Sequence, residues 1–193
     1  MRKILITIYL AMLSIVSAVT APVTAGRIFM AWFHVRREII KRGEVAPLIT
    51  LTFMGAKSLG GAAAVPMPMA GRMLVFFEPR ALSKLSYHEI KFVVAHECGH
   101  CIGQKNKAMF APYLTPAGLM LGGGMAGRAE EVEADLVAGQ LLNLTGNQIL
   151  AYRMTVHTVC LKMMAASLLG MTQEEVELTI YSQTEGVRDA LGL

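Results

Sequence analysis

From Ile4 to Gly26 the chain runs 23 residues without a charged side chain, preceded by Arg2 and Lys3. No other feature limits the available architectures as much. A helix of that length crosses a bilayer core of about 30 Å. A cleaved signal peptide fits the same residues, because the start is basic and small residues stand at Val19-Thr20-Ala21 and Val23-Thr24-Ala25. Two features favour an uncleaved anchor. The stretch is longer than an ordinary signal core, and it resumes after Arg27 through Ile28-Phe29-Met30-Ala31-Trp32-Phe33. Trp32 and Phe33 ahead of Arg36 and Arg37 read as an interfacial belt followed by a charge anchor.

Charge points the same way. Residues 1–45 carry seven basic and two acidic side chains, a net of +5, whereas the remainder carries eleven basic and twelve acidic ones, a net of −1. The basic excess flanks the apolar segment, so anionic membrane lipid is the expected partner of residues 4–42. The body has no basic balance to bind nucleic acid, which is excluded. More positive charge follows the apolar segment than precedes it, which places the C-terminal body in the cytoplasm. Three cysteines, an odd count, agree with a reducing compartment. For a bacterial chain the expectation is a single-pass inner-membrane protein, with a secreted or periplasmic one as the alternative if residues 1–25 are removed. Hydrophobic residues make up 54% of the chain and mean hydropathy is +0.48, which excludes a disordered chain, and no internal repeat suggests a solenoid.

Residues 1–43 thus read as an anchor with a basic juxtamembrane helix, and 44–193 as one further domain. Its fold class is α+β and mostly helical, with a small sheet. Leu48 to Phe53 alternates and is β-branched, and Arg72 to Phe77 forms a second strand stopped near Pro79. Ser86-Tyr87-His88-Glu89 is a capping box opening a helix that runs to Ile102 and stops at Gly103. Helices follow over Arg128–Leu144, ended by Gly146, and Asn147–Leu169. Thr172-Gln173-Glu174-Glu175 is a second capping box opening the last helix. The sequon Asn143-Leu144-Thr145 at a helix end reads as noise.

The chemistry gathers at His96-Glu97-Cys98-Gly99-His100, an H-E-x-x-H pattern inside the Ser86 helix. At about 100° per residue the two histidines lie on one face, so both imidazoles can bind one Zn²⁺ per chain. Glu97, at the edge of that face, is placed to act as general base on a zinc-activated water. Phe92-Val93-Val94-Ala95 makes the helix a buried one, and buried polar side chains need partners. A third ligand comes from downstream carboxylates. Glu131 and Asp135 share a helix face, which suits Glu131 as ligand and Asp135 as acceptor of a ligand histidine's far N–H. Arg128, one turn earlier, is placed to hold either carboxylate. Glu130 and Glu133 read as a solvated face.

The segments Leu74–Phe77, Leu82–Ser86, Glu89 and Val93–His100, with Arg128-x-x-Glu131-x-x-Ala134-Asp135, resemble the core of the HtpX-type gluzincin peptidases, which include the CAAX prenyl proteases. The resemblance covers roughly residues 45–145. It implies a gluzincin-like zinc metallopeptidase domain over 44–193, with Glu131 on zinc and an edge strand, here from the Gly60–Met69 region, pairing with a protein or peptide substrate. The chain departs from the family in three respects. A late His-Pro element is missing, leaving Arg188, Tyr181 and His157 as candidates to stabilise the transition state, with His157 better read as a core histidine. Only 30 residues separate His100 from Glu131, and since all ligands must meet at one metal, Ala108–Gly127 cannot cross a membrane once and is too short for about 40 residues of double crossing. That segment is expected to form a lid, a surface hairpin or a groove wall. Cys98 and Cys101 are the third departure. Cys101 borders the metal face and reads as a small buried side chain before it reads as a ligand. A degenerate fold kept as a membrane adaptor, and a small secreted peptidase, are the competing functions.

Overall fold

The computed structural model describes residues 11–12, 14–52, 61–67, 72–103, 107–108, 128–164 and 172–193. These form five principal helices and a three-stranded sheet, an α+β fold that is mostly helical. Helical residues 14–20 lead into α1 (Pro22–Lys41), which has proline in its first turn, where a missing N–H costs nothing. Along α1 the side chains of Thr24, Ala25, Ile28, Ala31, Trp32, Val35 and Ile39 are buried, a three-to-four-residue period that puts one face in the core.

This corrects one expectation. Trp32, read as part of a membrane-interface belt, is 8% exposed within the hydrophobic core, while its neighbour Phe33 is 65% exposed. The apolar pattern of α1 is partly a protein-packing pattern, since its inner face lies against the H-E-x-x-H helix. Among the described residues no helix is long and apolar enough to cross a membrane. Residues 4–10 and 13 of the expected span lie outside the described residues.

Three strands follow: β1 (Leu48–Leu51), β2 (Ala62–Met67) and β3 (Arg72–Phe77). The order is β1-β3-β2, with β1 parallel and β2 antiparallel to β3. Central β3 supplies buried Leu74, Val75 and Phe77. β2 is an edge strand. Gly61 O accepts from Glu78 N at 2.8 Å, and the register pairs Ala63 with Phe76 and Val65 with Leu74. The alternation of antiparallel pairing then turns the backbone of Ala62, Ala64 and Pro66 away from β3. Pro66, which lacks an N–H, thus falls on the side where no ladder bond is lost.

After a short 3₁₀ turn at Ala81–Lys84 comes α2 (Tyr87–Ile102), with both halves of the Ser86–Glu89 capping box formed. It ends at Gly103 as expected, but for another reason. Gly103 has extended backbone (φ −60°, ψ 142°), and a Cβ there would stand 2.5 Å from the Glu133 carboxylate. The remaining helices are α3 (Arg128–Leu142), α4 (Gly146–Met164) and α5 (Gln173–Leu191). α3 is closed by Asn143 in the left-handed region (φ 54°), with Leu144 N donating to Gly139 O at 2.9 Å. Gly146, expected as the stop, begins α4 instead, behind a capping box between Thr145 and Gln148. The expected lid, Ala108–Gly127, lies outside the described residues except at Ala108.

Candidate metal centre

α2 contributes the histidines and α3 the acids, because the two helices cross closely. At the crossing Gly99 faces the Ala134 backbone, where a Cβ would meet Ala134 O at 2.6 Å. Ala134 lies next to Asp135 and three residues past Glu131, so this contact carries both acids to the histidines.

His96 and His100 are buried, their rings edge to face with centroids 4.7 Å apart. Their Nε2 atoms are 3.1 Å apart. Glu131 Oε2 lies 3.4 Å from His96 Nε2, and Glu131 Oε1 lies 3.5 Å from His100 Nε2. One donor atom from each of the three residues falls within 4.8 Å of the other two, a group that can hold a metal ion. On the far side of His96, Nδ1 is 2.7 Å from Asp135 Oδ1, and Asp135 is fully buried. A carboxylate there accepts the Nδ1 proton, which leaves the Nε2 lone pair directed at the group. The Glu131 side chain is 20% exposed, so solvent reaches the donors from its side.

Glu97 is half-buried beside them. Burial raises its pKa above the usual carboxylate value, and the nearby Glu131 charge adds to this. The two histidines and an N–H donated by Ala64 on β2 pull the other way. The edge strand and the general-base candidate are therefore in direct contact.

The arginine is not the expected one. Arg128 opens α3, and its side chain lies outside the described residues. The guanidinium that meets Asp135 belongs to Arg153 on α4, which is fully buried and pairs through Nη1 with Asp135 Oδ2. Its Nη2 donates to Gln183 Oε1 on α5 at 2.7 Å. Nothing in the sequence signalled Arg153, since an arginine amid Tyr152 and Met154 on an apolar helix has no local motif. Glu130 and Glu133, expected on a solvated face, are half-buried, and the Glu133 carboxylate rests beside the C-terminal end of α2.

Two of the three proposed transition-state residues lie elsewhere among the described residues. Tyr181 is 65% exposed, and Arg188 pairs with Glu185 at 3.2 Å. Both line a groove between α4 and α5 with Met154, Glu177 and Leu178. His157 lies on α4 with its side chain outside the described residues. Cys101 donates its thiol to Glu97 O at 3.3 Å, and burial pushes the thiol pKa well up, as it does for Cys98. Burial thus disfavours the thiolate at both positions. Comparison with protein-family models, with curated proteins and with solved structures gives no match.

Proposed function

We propose that this chain is a zinc-dependent endopeptidase of gluzincin type, held at a membrane and acting on membrane or membrane-proximal proteins. The donor geometry carries this reading. Four-coordinate zinc with bonds of about 2.0–2.1 Å sets its ligand atoms about 3.4 Å apart. The two imidazole Nε2 atoms stand 3.1 Å apart. The Glu131 carboxylate faces both, Oε2 at 3.4 Å from His96 and Oε1 at 3.5 Å from His100, so a small rotation of that carboxylate would bring one oxygen to such a spacing. Three protein donors with a solvent-reached side match a catalytic site better than a closed structural one.

Zinc, when bound, lowers the pKa of a water towards about 7 and polarises a carbonyl. Glu97 would accept a proton from the attacking water and pass it to the leaving amine. Asp135 keeps His96 in the tautomer that binds metal. The outward carbonyls of β2 and the Ala62 N–H would pair with an extended peptide and lay a scissile bond near Glu97, which itself takes the Ala64 N–H.

Metal removal tests the reading. Treatment of the purified protein with a chelator is expected to abolish cleavage of an unfolded protein substrate, and one equivalent of zinc is expected to restore it. Undiminished cleavage by metal-free protein would sink the assignment. One observation favours a second reading, a metal-holding adaptor without catalysis. Tyr181 and Arg188 sit in the α4–α5 groove, so no transition-state donor from α5 is identified at the centre.

The membrane part rests on the outer face of α1. Val23, Met30 and Phe33 are 64–68% exposed on the side opposite the buried one, and Arg37 and Lys41 continue the same stripe. Apolar side chains ending in cations suit an anionic lipid surface. The protein is expected to co-sediment with vesicles containing anionic phospholipid, and the double replacement Met30→Glu/Phe33→Glu to weaken this at least about tenfold. Equal sedimentation of both proteins would remove the α1 contact from the proposal.

A further inference from the structure

Among the described residues Arg153 is the largest fully buried side chain, and it has no part in the chemistry above. A guanidinium in a core is costly unless its donors are matched, and apolar residues of similar volume usually serve a core as well or better. Arg153 is not even fully matched: among the described residues its Nε has no hydrogen-bond acceptor. What it does have is direction. Nη1 meets Asp135 Oδ2, Asp135 Oδ1 accepts from His96 Nδ1 at 2.7 Å, and His96 Nε2 faces the metal group. Nη2 is tied to Gln183 Oε1, so α4 and α5 together fix the guanidinium against α3.

We propose that Arg153 is a positioning residue for the metal centre, acting through Asp135 on His96 and supplying the positive charge that balances the site when the ion is bound. Glu97, Glu131 and Asp135 bring three carboxylates to two neutral imidazoles. A divalent cation and one guanidinium bring that set to neutrality, whereas a divalent cation alone leaves a buried negative charge. Orientation matters as much as charge. Without the guanidinium, Asp135 loses the contact at Oδ2 that helps to aim Oδ1 at His96 Nδ1, and the ring is held less firmly in its tautomer. Burial lowers the Arg153 pKa to about 10, against the opposing pull of Glu131, so the side chain remains a cation at neutral pH.

This inference rests on the zinc reading, and the test separates the two. Metal-free wild type and variants are titrated with zinc against a chromophoric chelator, and the cobalt-substituted proteins are compared by visible absorption. Arg153→Met is expected to lose about 10–100-fold in zinc affinity, as replacement of groups that orient ligands does. Arg153→Lys keeps the charge without the planar fork and is expected to recover part of that loss. The cobalt spectrum should shift in Arg153→Met, because the His96 ring is no longer held. A merely structural role predicts lower thermal stability with unchanged affinity and spectrum.

Should Arg153→Met fail to fold, the cycle of Arg153→Lys with Asp135→Asn decides. The two losses in affinity must be less than additive if the arginine acts through the aspartate. Additive losses, or variants within about threefold of wild type, would overturn the proposal while leaving the zinc reading intact. Wild type that binds no zinc would overturn both.

Discussion

Glu97→Gln is expected to bind one zinc per chain and to cleave about 10²–10⁴-fold more slowly than wild type, the range over which a positioned acid–base group acts. That range corresponds to about 3–5 kcal/mol of activation free energy. Glutamine matches glutamate in size and keeps a carbonyl oxygen for the Ala64 N–H. It also removes a half-buried negative charge, so the fold is not expected to suffer. What it cannot do is accept and return a proton. The loss should fall on kcat, since the peptide would still pair with β2. Zinc content by elemental analysis and cleavage of an unfolded protein check both halves. Retained zinc with turnover within about threefold of wild type would remove Glu97 from the chemistry. Loss of zinc as well would make Glu97 a ligand, which its place beside the three donors does not suggest. If neither protein cleaves while both bind zinc, the adaptor reading stands.

How much of this was legible beforehand follows from which contacts are local. The bounds of α2 were readable because the Ser86–Glu89 box is a four-residue interaction and the histidine spacing a one-turn one. Placing Glu131 and Asp135 on one helix face was local too, and their meeting with His96 followed from the demands of a buried imidazole. β2 was not readable as a strand from its own residues; the resemblance alone put an edge strand in the Gly60–Met69 region, where Ala62–Met67 indeed forms one. Its Ala-Ala-Ala-Val-Pro-Met sequence has little intrinsic strand preference, and pairing with β3 imposes the conformation. The Arg153–Asp135 pair spans about two helical turns of α3, the link and about two turns of α4, so no local spacing encodes it. α1 shows a different limit. Apolar periodicity says that a face wants cover but not what covers it, and here one side takes protein while the other remains exposed.

Gly99→Ala is expected to damage the metal centre without touching a ligand. An added methyl would lie 2.6 Å from Ala134 O and 2.9 Å from Ala134 Cα. Both are backbone atoms, so no rotamer change relieves the clash, and α3 itself must move. Glu131 and Asp135 travel with it. Overpacking of this kind costs about 1–3 kcal/mol in stability. The loss in zinc affinity should exceed what stability alone implies, because the carboxylate of one helix and the imidazoles of the other separate together. A fall of about 10–100-fold is expected, comparable to loss of an orienting group. Gly26→Ala is the matched control. It makes the same substitution inside a helix, but its Cβ would meet nothing within 4 Å. There the exchange should be neutral or stabilising by up to about 1 kcal/mol, with zinc affinity unchanged. Thermal melts of the metal-free proteins and zinc titration of each separate the two effects. Were Gly99→Ala to bind zinc as wild type does, the helix crossing could not be what sets the distance between Glu131 and the histidines.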